Sequence, residues 1–386
     1  MLLSFTLRQA VAAISPILDV IRVDVPMSSI GIGLLGTLPP VLFAISGLIA
    51  PRVARGVGLD GGIVVALVLM TAGHLIRAAA PGFGVLLAGS VVAFAGTGIG
   101  NVLLPPIVRR YFPDRVALLI AVYTCIVGVS TALPAAVAAP IAGLAGWRFS
   151  LGLWAATSIV ALAPWIVMIV RDRRRAAAKA AVLTAPPATL LTRLWRSRTA
   201  SSITLLFSTS TICTYANFAW LPQILRDVAG STAAEGGALL AVTGIVSVPC
   251  ALLAPLLVAR FRDVGWVIAA GTASFVLGYA GLLLAPRSPT LLWVLLIGMG
   301  SILFPVCLVL IDARTRTARG TVALSGFAQG VAYGLGAIGP LAVGVLHDVS
   351  RGWTVPLLLL LLTALAAVSS IPPLSRCAFV EDDLAR

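Results

Sequence analysis

The chain has 386 residues, 60% of them hydrophobic and only 10% charged. A water-soluble domain clothes its surface with roughly 25% charged side chains, so a soluble fold is excluded and the outer surface is expected to face lipid. The 27 Lys and Arg give a net charge of +14, but their placement in alternate loops reads as membrane topology and not as a nucleic-acid surface.

A spanning helix takes about 20 apolar residues, and the sequence divides into twelve such stretches with short polar breaks. No segment alternates polar and apolar over ~10-residue strands, which excludes an outer-membrane barrel. The expected fold is therefore all-α and integral to the membrane. It comprises an N-terminal six-helix bundle over 1–170, a basic linker over 171–199, a C-terminal six-helix bundle over 200–373 and a tail over 374–386.

The first stretch, residues 1–21, barely spans and carries Arg8. The matching helix of the second half begins near Ala200, with position 214 corresponding to Arg8. About six further residues are thus expected before Met1, which would place Arg8 at mid-membrane. The N-terminus lacks a basic n-region and a small-residue cleavage site, so no cleavable signal is expected. A charge in a spanning helix costs about 2.5–3.5 kcal/mol by insertion scales, and a guanidinium there attracts a planar anion through paired hydrogen bonds. No acidic residue lies in the middle of a predicted helix. A net positive cavity, suited to an anion or weak acid, follows. The structural alternative for Arg8 is snorkelling to the interface.

Arg77 lies near the loop at Pro81 and is expected to snorkel to the outer interface as an anchor or gate; His74 is one turn before it. In the fourth stretch Gly96, Gly98 and Gly100 permit close helix packing, and Asn101 either ties two helices or faces the cavity. Arg109, Arg110, Asp114 and Arg115 follow in a basic loop. The linker 171–199 holds eight of the basic residues, with Pro186-Pro187 breaking any continuous helix. Tyr215, Asn217 and Trp220 cluster in the seventh stretch before Pro222. They offer a hydroxyl, an amide and an aromatic wall for a small solute, although residues two apart on a helix diverge. Trp220 has an alternative place in an aromatic belt.

The two halves repeat at a spacing of 206 residues. Pro16 matches Pro222, Gly31 matches Gly237, Gly128 matches Gly334, Pro134 matches Pro340, and Gly146-Trp147 matches Gly352-Trp353. The same spacing makes Tyr123 and Gln329 equivalent positions, with Tyr333 one turn beyond Gln329. Repeated six-helix halves related along the membrane normal place a solute site between them. Of the 27 basic residues, 20 fall in the linker, the tail and one set of alternate loops, against five in the opposite loops, leaving Arg8 and Arg77 within helices. This puts the linker and C-terminus in the cytoplasm of a bacterial inner-membrane protein.

The five cysteines show no paired spacing and there are only two histidines, so neither metal, disulfide nor cofactor is expected. The segments Leu7–Arg22, Gly96–Arg115, Tyr215–Asp227 and Ala323–Trp353 resemble the first, fourth, seventh and eleventh helices of the cyanate and 2-nitroimidazole transporter branch of the major facilitator superfamily. The resemblance covers nearly the whole chain. It implies alternating access, a substrate contact at Arg8, and gating by Arg109, Arg110, Asp114 and Arg115. Thr6 and Gln9 depart from that branch's first-helix Asn and Pro, and Pro51 stands where the superfamily's loop 2–3 signature has Asp.

The residues read as lining the solute site are Arg8, Asn101, Tyr123, Tyr215, Asn217, Trp220, Gln329 and Tyr333. The leading function is secondary transport of a small anionic or weakly acidic solute by a monomer, driven by the solute gradient or a co-transported proton. The alternatives are an efflux carrier for neutral or cationic drugs, which usually needs an intramembrane carboxylate, and a membrane receptor or enzyme. An enzyme would predict a catalytic cluster, and the sequence has neither that nor a Walker motif.

Overall fold

The computed structural model describes residues 1–172, 194–261, 263–376 and 378–385; most of the linker at 171–199 lies outside them. Every regular element among the described residues is helical. That is the form in which a chain in hydrocarbon satisfies its own N–H and C=O groups.

By contacts the chain divides into two compact units, Met1–Leu183 with Ser231–Ala241, and Thr184–Gly230 with Val242–Arg386. The first begins with a span in pieces: α1 (Leu2–Thr6), α2 (Gln9–Ala12), a 3₁₀ turn at Ser15–Ile17 and α3 (Leu18–Asp24). Pro16 lies in the turn and has no N–H to continue the ladder. Then come α4 (Ser29–Ala78), α5 (Phe83–Tyr111) and α6 (Val116–Asp172). α4 and α6 each fold back on themselves at a glycine, Gly58 (φ 76°, ψ 169°) and Gly146 (φ 82°, ψ 157°). Side chains with a Cβ seldom adopt such a positive φ. α5 packs along α4 because Gly73 lies against the Ala93 backbone and Gly96 against the Ala66 carbonyl.

The remaining helices are α7 (Arg198–Ala229), α8 (Ala233–Arg260), α9 (Gly265–Leu284), α10 (Thr290–Gly300), α11 (Leu303–Ala313), α12 (Ala318–Ser350) and α13 (Thr354–Ala366). The short α14 (Ile371–Ser375) and α15 (Val380–Ala385) follow.

Ten stretches among the described residues are long and apolar enough to cross a membrane, against the twelve expected. One of the ten, Val122–Met168, has 47 residues, about 70 Å of helix and more than twice the hydrocarbon thickness; it contains the reversal at Gly146. The seventh expected span, α7, has 32 residues but is diluted by hydroxyls such as Thr204, Ser208 and Thr211. These return their O–H to the carbonyls of Ala200, Thr204 and Phe207 within the helix, which keeps a polar helix satisfied in an apolar setting.

The tail is tied back to the second unit. Asp383 accepts from the Ser197 hydroxyl and the Thr199 N–H, both at 2.9 Å, at the start of α7. Glu381 accepts from the Arg316 and Thr317 N–H groups at the start of α12, at 3.0 and 3.3 Å. Partial burial opposes ionisation of Glu381, but hydrogen bonds from its own backbone, from Arg316 and from Thr317 outweigh it and hold the carboxyl below the usual glutamate range. Both acids occupy helix N-termini, where orphan N–H groups and the helix dipole favour negative charge. Asp383→Ala is expected to cost about 1 kcal/mol, read as a fall of roughly 2–4 °C in the melting temperature of detergent-solubilised protein.

Candidate functional site: two polar clusters

In the first unit the cluster forms where the first span breaks. Arg8 has left helical geometry (φ −121°, ψ −10°). Its backbone N–H donates to Ser130 Oγ on α6 at 3.1 Å, and the Ser130 hydroxyl donates to the Phe5 carbonyl at 2.6 Å. One hydroxyl thus stands in for a rung of the ladder, so the break leaves neither group unpaired in hydrocarbon. The half-buried Arg8 guanidinium lies over the Phe43 ring, 5.7 Å from its centroid, and within electrostatic reach of the Tyr123 hydroxyl. Tyr123 donates to Asn101 Oδ1 at 3.3 Å. The structure therefore brings Arg8, Asn101 and Tyr123 together from three spans, and Asn101 ties α5 to α6.

In the second unit Tyr215 of α7 and Tyr333 of α12 meet with ring centroids 6.4 Å apart, and Phe207 packs on Tyr333 at 6.1 Å. Gln329, one turn before Tyr333, donates to Ser325 at 2.6 Å. Asn217 points elsewhere, as residues two apart on a helix must. Its amide donates to the Tyr279 hydroxyl of α9 at 3.0 Å and accepts from it at 3.3 Å.

Two of the expected residues have surroundings that their sequence setting did not suggest. Trp220 is fully buried, and its indole N–H is committed to the Pro340 carbonyl at 2.8 Å. It packs against His347 and Trp353 with centroids 6.3 and 5.6 Å away, so it is part of the packing between α7 and α12. Arg77 does not snorkel to an interface. It is 0% exposed, and its Nη1 donates to the Ala10 carbonyl of α2 at 2.9 Å. Closeness to a loop in sequence suggested the interface, but the side chain turns inward to the broken first span.

Of the other expected gating residues, Arg110 pairs with Asp60 at 3.5 Å, and Tyr111 donates to the other oxygen of Asp60 at 3.1 Å. Asp60 follows the reversal at Gly58, so this acid joins the turn within α4 to the end of α5 although Pro51 occupies the signature's acidic position. Arg110 is 41% exposed, and exposed pairs contribute about 0–1 kcal/mol. Asp114 and Arg115 are exposed in a 3₁₀ turn, Pro113–Arg115. The side chain of Arg109 lies outside the described residues.

Sequence reasoning passed over Ser130, Asp60 and Tyr279, whose partners lie 125, 51 and 62 residues away. The matching tryptophans of the repeat make similar contacts. The Trp147 indole donates to Asp24 at 2.9 Å, and the Trp353 indole donates to Asp227 at 2.8 Å. Each holds the end of its unit's first span to the turn before its last.

Residues 1–337 match the family model of the Major Facilitator Superfamily. The chain belongs to the Major Facilitator Superfamily. It is a multi-pass membrane transporter of that superfamily, and known members resemble it over most of their length. The 2-nitroimidazole transporter of Escherichia coli (strain K12) is 33% identical over 361 residues, covering 93% of this chain and 89% of the relative. The cyanate transport protein CynX of the same organism is 25% identical over 357 residues, covering 91% and 90%. Among solved structures, a bacterial homologue of the human lysosomal transporter Spinster, inward-facing and unoccupied, superposes with a TM-score of 0.76 at 16% identity, covering 99% of this chain and 95% of that one. That likeness concerns the fold alone.

Proposed function

We propose that this transporter moves a small anionic or weakly acidic solute, of the cyanate or nitro-heteroaromatic class, across a bacterial inner membrane by alternating access. The observation that carries the reading is the Arg8 guanidinium, held at a break in the first span beside the Asn101–Tyr123 pair. A guanidinium offers two parallel N–H groups to a planar anion, and the hydroxyl and amide next to it add neutral hydrogen-bonding groups. The names of two relatives, a 2-nitroimidazole transporter and a cyanate transport protein, support the same class. In the second unit Tyr215, Gln329 and Tyr333 are assigned to the solute, while Asn217 is assigned to helix tying. The reading further takes the protein as a monomer with the linker and C-terminus in the cytoplasm.

The test is uptake by proteoliposomes of labelled cyanate and, separately, 2-nitroimidazole, over a pH ramp with and without a proton ionophore. Saturable uptake of either solute is expected. Collapse of accumulation by the ionophore assigns proton coupling, and indifference to it assigns transport down the solute gradient. Failure to move either solute, together with movement of a cationic dye, would replace this reading with drug efflux.

A further inference from the structure

The interior of the first unit holds a charge that its own contacts leave incompletely satisfied. Arg77 is 0% exposed, and among the described residues only its Nη1 has a hydrogen-bond partner, the Ala10 carbonyl at 2.9 Å. No acceptor among the described residues reaches Nε or Nη2. None of the ion pairs of the described residues includes Arg77. The Phe94 ring, 5.9 Å from the guanidinium carbon, contributes a cation–π contact but no negative charge. An uncompensated buried ion is among the costliest arrangements in a protein interior.

Other unsatisfied groups belong to the same patch. The Gln9 amide bonds the Thr157 hydroxyl at one end, at 2.7 Å, and has no partner among the described residues at the other. Gln9 precedes Ala10, the residue Arg77 holds. Thr157 lies one turn beyond Trp154, whose carbonyl its hydroxyl also approaches at 2.8 Å and whose buried indole Nε1 has no acceptor among the described residues. His74, one turn before Arg77, is 1% exposed, feels the Arg77 charge and faces the Leu151 backbone. Helices α2, α4 and α6 therefore each bring a buried N–H group without a partner among the described residues, linked through the neighbours Gln9 and Ala10 to the Arg77 charge.

We propose that this patch binds one small monovalent inorganic anion, of chloride size or slightly larger. An anion is the ligand that both accepts from the indole, guanidinium and amide N–H groups and neutralises Arg77. Water would meet the first need but not the second. The site is distinct from the proposed solute contact, because Arg8 sends its guanidinium over Phe43 while Gln9, the next residue, turns to Thr157.

The experiment is thermal unfolding of the full chain in detergent at constant ionic strength, replacing gluconate by chloride or thiocyanate. A saturable rise in melting temperature is expected in the wild-type protein. It is expected to persist in Arg8→Ala and to vanish in Arg77→Met. Trp154→Phe keeps an aromatic side chain and removes the indole N–H, and is expected to weaken the apparent affinity about tenfold, the worth of one hydrogen bond to a charged ligand. No saturable response in the wild type, or a full response in Arg77→Met, would overturn the proposal. So would a response lost in Arg8→Ala, which would assign the ion to the solute contact. Should Arg77→Met fail to fold, an unchanged affinity in Trp154→Phe would overturn it.

Discussion

Arg8→Ala is expected to lower solute uptake about 100-fold or more while leaving the melting temperature of the purified protein within a few degrees of wild type. The two halves of this expectation come from different atoms of one residue. The side chain supplies the charge and paired N–H groups, and each hydrogen bond to a charged partner is worth about 1.5–3 kcal/mol, so losing two reaches a factor of 100. The backbone N–H supplies the bond to Ser130 that closes the break, and alanine retains it. Arg8→Lys separates charge from geometry, because an ammonium keeps the former and loses the planar fork. Uptake near wild-type levels in Arg8→Ala, measured in proteoliposomes at matched protein content, would remove this residue from the solute's path.

The largest expected loss of stability lies at Gly73. A Cβ there would strike the Ala93 backbone, and backbone, unlike the tip of a side chain, has nowhere to turn. Gly73→Val is therefore expected to push α5 off the second half of α4, at a cost of about 3 kcal/mol, and to shrink the yield of monodisperse protein in size-exclusion chromatography. Gly143→Ala is the matching control, since nothing lies within 4 Å of an added Cβ there. In membranes helices associate largely through close packing, so an equal loss of yield in both variants would show that this contact is not what joins α4 to α5.

Hydropathy, the basic loops and the 206-residue repeat announce an all-helical membrane protein, and the repeat pairs Trp147 with Trp353, although their aspartate partners had to be seen in the packing. What hydropathy reports is depth along a helix, whereas rotation about its axis depends on neighbours that the sequence does not place. Arg77 shows the consequence: its depth suggested an interface, but its rotation puts it in the unit's core. The Ser130 bridge is harder still to foresee, because a serine on an apolar helix has no periodicity to distinguish it, and its meaning depends on a break 122 residues earlier. Chemistry alone could nominate Arg8, Tyr215 and Tyr333 as candidates, but not their partners. The division between Tyr215, which meets Tyr333, and Asn217, which meets Tyr279, required the packing.

The hydrogen bonds of the tail also set an order in time. Asp383 bonds the first turn of α7 from 184 residues further along the chain, and Glu381 does the same for α12 from 64 residues further on. During synthesis both helices are made long before the acids that complete their ends. Until those last residues emerge, Ser197 and Thr317 cap the Ala200 and Gly320 N–H groups, but the N–H groups of Thr199, Arg316 and Thr317 must be served by solvent or another partner. A ribosome stalled upstream of position 381 would thus leave two helix starts of the second unit with only part of their capping, and more open to proteases than after the tail has docked.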